Sequence, residues 1–382
     1  MKYVHLIFKN LLRNKRRAFL TASSIAVSLF LMTLLITILT AMEASTKTDG
    51  SELRLITRHK VSLTNILPQS YWKKMERVPG VLVVCPTSWF GGVYIDDKNF
   101  FPQFAVDPRT YLDLLAPQKT FRVDAERARD WVLDRRGVMV SKALADKYGW
   151  TIGSPVFLKG RIYPADLDLR VSAIYTGADD AVYFQRDYLE ESIGRPGFVG
   201  SYWIRIDDPG HLSRVAKAVD ALFANSDAET LTESERAFTA GFIQMLGNVK
   251  GLVMYLSLVI AATILMVTAN SMSMSVRERT TEVAVLKALG FPSRTVLALL
   301  LSEAVLLAGI GGLLGVGGFW GIAHLIFDVA GFRLPMVWFT LVPPAWLVAS
   351  LIVSSLGLGF ASGLVPALGA ARRPILDGLR QA

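Results

Sequence analysis

Apolar positions are unevenly distributed along this chain. An uncharged run of 25 residues extends from Ala18 to Met42. Residues 43–248 then mix charged, polar and apolar positions on a short scale. Three more apolar runs crowd the last third: Gly251–Val276, Thr295–Phe327 and Leu334–Ala371. Roughly 20 apolar residues let a helix cross a hydrocarbon layer. The pattern therefore predicts an α-helical membrane protein with four transmembrane helices, plus an extracytoplasmic mixed α+β domain inserted between helices 1 and 2. The predicted spans are 18–42, 249–276, 295–327 and 343–365. Pro343 and Pro344 open the fourth, since proline suits a first helical turn, and Pro366 closes it.

Within 43–248 the patterning is that of a folded domain. Residues 70–78 read as a short helix stopped by Pro79 and Gly80. Val81–Val84 reads as a buried strand. Gly137–Val140 followed by Ser141 and residues 142–148 reads as strand, serine cap and helix, ended by Gly149. Residues 151–158 read as a turn at Gly153 that resumes as strand, further strands are predicted at 167–175 and 201–206, and an amphipathic helix at 211–223. Residues 229–248 contain no proline and are predicted to run as a helical stalk into the second span, with 43–49 extending the first.

Charge fixes an orientation. The chain has 41 Lys+Arg and 32 Asp+Glu, of which 26 and 27 lie in 43–248, leaving 15 against 5 for the membrane part. The segment 1–17 carries six basic residues and no acid, which places it in the cytoplasm. The segment 277–294 is net basic and the tail 366–382 carries Arg372, Arg373 and Arg380, so both face the cytoplasm as alternation requires. The connection 328–342, with Asp328 and Arg333, suits the outside. A cleaved signal peptide has an apolar core of about 7–15 residues, so the 25-residue run reads as a retained anchor. Both termini are expected in the cytoplasm.

Chemistry adds mainly exclusions. A single cysteine, Cys85, rules out an internal disulfide, and four scattered histidines offer no paired metal spacing. The near-neutral inserted domain lacks the basic patch that nucleic acid requires. Asp96 with Asp97 and Asp179 with Asp180 read as turn residues, and Ser141 as a helix cap rather than a nucleophile. The many aromatics of the inserted domain serve its core or a lipid-accepting surface. Glu303 lies in the third span, where a carboxylate is a functional candidate; the alternative is a pair near the interface with Arg294 or Lys287. Small residues at Gly311 and Gly315, and at Gly317 and Gly321, suit close helix packing within or between subunits.

The densest signal follows the second span: RERTTEVAVLKALG at 277–290, then FPSR. It reads as a short amphipathic helix with Val283, Leu286 and Leu289 on one face and Arg279, Glu282 and Lys287 polar. Gly290 stops it, and Ser293 caps the next helix. Such a helix lies on the membrane surface or plugs into a cytoplasmic partner.

These residues, with RNKRR at 13–17, the 43–248 insertion and PALGAARRPILDGLR at 366–380, resemble the FtsX-like permeases of MacB-type ABC transporters. The resemblance implies a homodimeric permease, two ABC ATPase subunits on its cytoplasmic face, and contact with membrane lipids and with an adaptor or effector outside. It also implies a coupling segment, which maps onto Arg277, Glu278, Arg279, Glu282, Val283, Leu286, Lys287, Leu289 and Gly290. The family transmits ATP-driven closure to its external domains. No G-x-x-x-x-G-K-[ST] motif occurs, so no cofactor is expected in this chain; ATP and Mg would be bound by the partner ATPase. Export or extraction of a hydrophobic substrate, regulation of a cell-wall hydrolase, and ligand sensing remain open at this point, with sensing disfavoured by the coupling motif.

Overall fold

The computed structural model describes residues 13–45, 49–96, 99–177, 179–194, 196–245, 247–329, 341–372 and 374. Contacts divide the chain into a helical unit, built from both ends of the sequence, and a sheet-bearing unit from Glu43 to 245.

The sheet-bearing unit is a mixed α+β domain. Its strands are β1 (Arg54–His59), β2 (Leu67–Pro68), β3 (Val81–Trp89), β4 (Gln103–Val106), β5 (Arg122–Val123), β6 (Gly137–Ser141), β7 (Pro155–Leu158), β8 (Leu167–Thr176), β9 (Val182–Gln185), β10 (Phe198–Val199), β11 (Ser201–Ile206) and β12 (Thr230–Ser234). The large sheet runs β12-β1-β11-β3-β4-β9-β6-β8-β5, with β7 on β8 and β2 with β10 apart. Its ladders are antiparallel except β4 with β9 and β6 with β8. β6 is buried throughout, which is why it reads as a continuous apolar run. β8 alternates over its first half: Leu167, Leu169 and Val171 are buried while Asp168 and Arg170 are exposed. The Ser141 hydroxyl accepts from Leu144 N, capping the helix Lys142–Tyr148, and Gly149 ends it at φ 67°.

One expectation for this unit needs correction. Residues 229–248 are not one stalk helix. Thr230–Ser234 is a strand on β1, where Thr57 and Thr232 share a hydroxyl hydrogen bond, and a helix spans only Glu235–Met245. β-Branched threonines and a ladder partner outweigh helical propensity there. Gly247 then takes φ 97°, and Asn248 caps the next helix. On the other side the first helix is described to Ser45, and residues 46–48 of the expected extension lie outside the described residues. The paired aspartates behave as structural groups. Asp96 accepts from Asn99 N, and Asp97 lies outside the described residues. Asp179 accepts from the Tyr183 hydroxyl, and burial raises its carboxyl pKa. Of the aromatics, Phe90, Phe101, Trp131 and Trp150 are core; Trp72, Trp89, Phe100, Phe104 and Trp203 are half-buried.

The helical unit holds four helices long and apolar enough to cross a membrane. We label them α1 (Lys15–Ser45), α2 (Val249–Glu278), α4 (Ser293–Ala323) and α5 (Ala345–Arg372), with the short α3 (Thr280–Ala288) between α2 and α4. A π-helical turn, His324–Val329, continues α4. Pro366 does not close α5 but lies inside it. A membrane helix tolerates proline where neighbouring helices and Ser or Thr side chains satisfy the freed groups. The connection 330–340 and the tail beyond 372, Pro374 apart, lie outside the described residues, including Arg373 and Arg380.

The glycine pairs separate into two roles. A Cβ at Gly315 would sit 2.2 Å from Ala26 O, and one at Gly311 would sit 2.6 Å from Ile25 Cγ2. These two glycines therefore let α4 approach α1 within the subunit. Gly317 and Gly321 have nothing within 4 Å of such a Cβ and face outward.

Candidate functional site: the joint between α2 and α3

α2 ends at Glu278, and Arg279 breaks the helix with φ −114° and ψ 17° before α3 starts at Thr280. At its far end α3 closes in a Schellman arrangement. Phe291 N donates to Leu286 O, Gly290 N donates to Lys287 O, and Gly290 takes φ 91°. Only glycine adopts that left-handed cap without strain. The segment 277–290 is thus a short helix with a defined break at each end.

The predicted polar face needs correction. Arg279 does not face solvent: it is 6% exposed, and its Nη1 donates to Glu303 Oε2 at 2.8 Å. Glu303, 5% exposed, also accepts from the Ser275 hydroxyl at 3.4 Å. Glu303 is therefore paired, with Arg279 rather than Arg294 or Lys287. A guanidinium one residue past α2 reaches this depth because Ser275 and Arg279 lie four positions apart, on one helical face. Lys287 donates from Nζ to Ala371 O at 2.6 Å, meeting a carbonyl in the last turn of α5.

The apolar face also divides. Val283 is half-buried against the cluster that includes Met272, Val276, Val296 and Leu300, and Ala284 is buried. Leu286 is half-buried. Leu289 is 72% exposed and Val285, absent from the expected face, is 44% exposed. Arg277 is exposed. Glu278 accepts from Arg17 at 2.6 Å, and Glu282 is paired with Arg13. Arg13 with Arg17 and Glu278 with Glu282 are each four apart. That matched spacing is readable from the sequence and was the available signal for this contact. A narrow cleft between α1, α2 and α4 adjoins the joint, lined by Arg17, Thr268, Ser271, Ser275 and Glu303. Among the described residues, no group of three or more His, Cys, Asp or Glu side chains is placed to hold a metal ion.

Family comparison agrees with this architecture. Residues 18–222, more than half of the chain, match the MacB-like periplasmic core domain, and residues 254–375 match the FtsX-like permease C-terminal region. The chain belongs to this family: it is an ABC transporter permease of the MacB/FtsX type, a multi-pass membrane protein. It is 32% identical over 165 residues to the uncharacterized ABC transporter permease YvrN of Bacillus subtilis, covering 43% of this chain and 37% of that one. It is 23% identical over 409 residues to the uncharacterized permease MJ1507 of Methanocaldococcus jannaschii, covering 98% and 96%. The extracellular domain of YknZ from Gram-positive bacteria superposes on 47% of this chain and 99% of that one, at 15% identity and a TM-score of 0.37.

Proposed function

We propose that this chain couples ATP hydrolysis by a separate ATPase subunit to motion of its external domain, for export or extraction of a hydrophobic substrate such as a lipid, lipoprotein, peptide or drug. The observation that carries the proposal is α3. It is anchored on its inner side by Val283, Ala284 and Lys287, while Val285 and Leu289 project from its other side. A short helix held firmly from within, with apolar side chains exposed, is suited to insertion into a partner's cleft. Charge distribution supports placing α3 and both termini in the cytoplasm of a bacterial inner membrane.

The reading has two ATPase copies, which hold the ATP and Mg, beneath a homodimer of this chain. The entry and exit strands of the external domain, β1 and β12, are paired through Leu55 and Ser234. A pull arriving through either strand therefore acts on the other. Burying one leucine contributes about 1.5–3 kcal/mol. Val285→Asp with Leu289→Asp should therefore weaken ATPase binding by ~10–100-fold and abolish its stimulation, with the external domain still folded by circular dichroism and limited proteolysis. Undiminished stimulation in that variant would overturn the assignment of α3.

A further inference from the structure

We infer that the buried ion pair of Arg279 and Glu303 transmits displacement of α3 to the membrane helices, which makes both residues positioning residues; this rests on the coupling role proposed for α3. Stability alone gives a weak reason for such a pair. Buried ion pairs are often replaceable by apolar residues without loss, and ionisable groups within membrane helices are costly and rare.

Position gives a better reason. Arg279 is the non-helical residue separating α2 from α3, so any tilt of α3 acts at this residue. Its guanidinium holds one carboxylate oxygen of Glu303, and the Ser275 hydroxyl from the last turns of α2 holds the other. A planar guanidinium fixes direction as well as distance. Glu303 lies ten residues beyond the start of α4, about 15 Å along its axis at 1.5 Å per residue. The displacement thus enters α4 well above its end.

From there it cannot dissipate into α5. A Cβ at Gly359 would stand 2.5 Å from Ala308 Cβ and 2.9 Å from Ala304 O, and one at Gly363 would stand 2.7 Å from Ala304 Cβ. α4 and α5 are locked together beside Glu303. The second anchor of α3, Lys287 on Ala371 O, reaches the same α4–α5 unit. α3 is therefore tied to that unit at two points eight residues apart, about 12 Å.

The test uses the full-length permease with its ATPase in lipid nanodiscs. ATPase affinity is read by biolayer interferometry, and ATP-driven motion by the distance between spin labels in the external domain. In Arg279→Met with Glu303→Met, which removes both charges, Val283, Ala284 and Lys287 still hold α3, so ATPase affinity should persist. The ATP-driven shift in population between the two label distances should fall by about tenfold or more, within the usual range of coupling between sites. A retained population shift overturns the inference, and so does loss of ATPase affinity, which would make the pair a support for the docking surface. Should the double variant fail to assemble, Glu303→Asp, which keeps the charge and shortens the reach, is judged by the same two criteria. A wild-type complex that binds ATPase and shows no ATP-driven motion refutes the coupling role itself, and the inference with it.

Discussion

Substituting alanine should leave the protein less stable at Gly315 than at Gly317. The two positions lie two residues apart on α4, about 200° around the helix. An alanine Cβ at Gly315 would stand 2.2 Å from Ala26 O and 3.0 Å from Ala26 C. Both are main-chain atoms of α1, so no rotamer change relieves the overlap and the helices must separate. Overpacking of this kind costs about 1–3 kcal/mol. Replacing a helical glycine by alanine gives back about 1 kcal/mol, which leaves Gly315→Ala neutral to about 2 kcal/mol destabilised. Gly317 meets nothing within 4 Å, so Gly317→Ala keeps the propensity gain alone. Gly311→Ala should fall between them, because its 2.6 Å neighbour is the side chain of Ile25. Thermal unfolding of the purified protein in one detergent, followed by helical circular dichroism, ranks the three. A melting temperature for Gly315→Ala at or above that of Gly317→Ala would refute the close α1–α4 crossing.

Two further outcomes concern the external domain. Arg54, 2% exposed, is paired with Glu235, so Glu235→Ala leaves a buried guanidinium uncompensated; a loss of about 3–5 kcal/mol in denaturant unfolding is expected, and a loss below 1 kcal/mol would count against the buried pair. Burial pushes the Cys85 thiol up to about 12, so the folded state keeps a proton that the unfolded chain releases above about 8.5. The stability tied to this thiol is complete below that value and is lost as pH rises from it towards 12. Stability should therefore fall more steeply above pH ~8.5 in the wild type than in Cys85→Ala, and maleimide should label Cys85 only after denaturation; fast labelling of the folded protein would contradict the burial.

The cap at Ser141, the strand before it and the left-handed Gly149 were legible because each depends on residues within a few positions. The same holds for Gly290. The stalk at 229–248 was misread for a related reason: absence of proline permits a helix, whereas the ladder partner of Thr232 lies in β1, 175 residues away. The candidate site shows the same division. The segment 277–290 was located from its pattern alone, but the pattern set Arg279 among exposed polar residues, and only the fold reveals its carboxylate partner on another helix.

By itself the sequence determined four apolar helices, the inserted α+β domain, the basic excess of the membrane part and the position of the short helical segment 277–290. Each follows from composition or periodicity over adjacent residues, where the chain supplies its own context. The tertiary structure alone decided which glycines meet a neighbouring backbone, which of Val285, Leu286 and Leu289 are exposed, and that Glu303 is held by Arg279 and Ser275. Those outcomes depend on how distant helices are rotated about their axes, and a helical periodicity names a face without naming what lies against it.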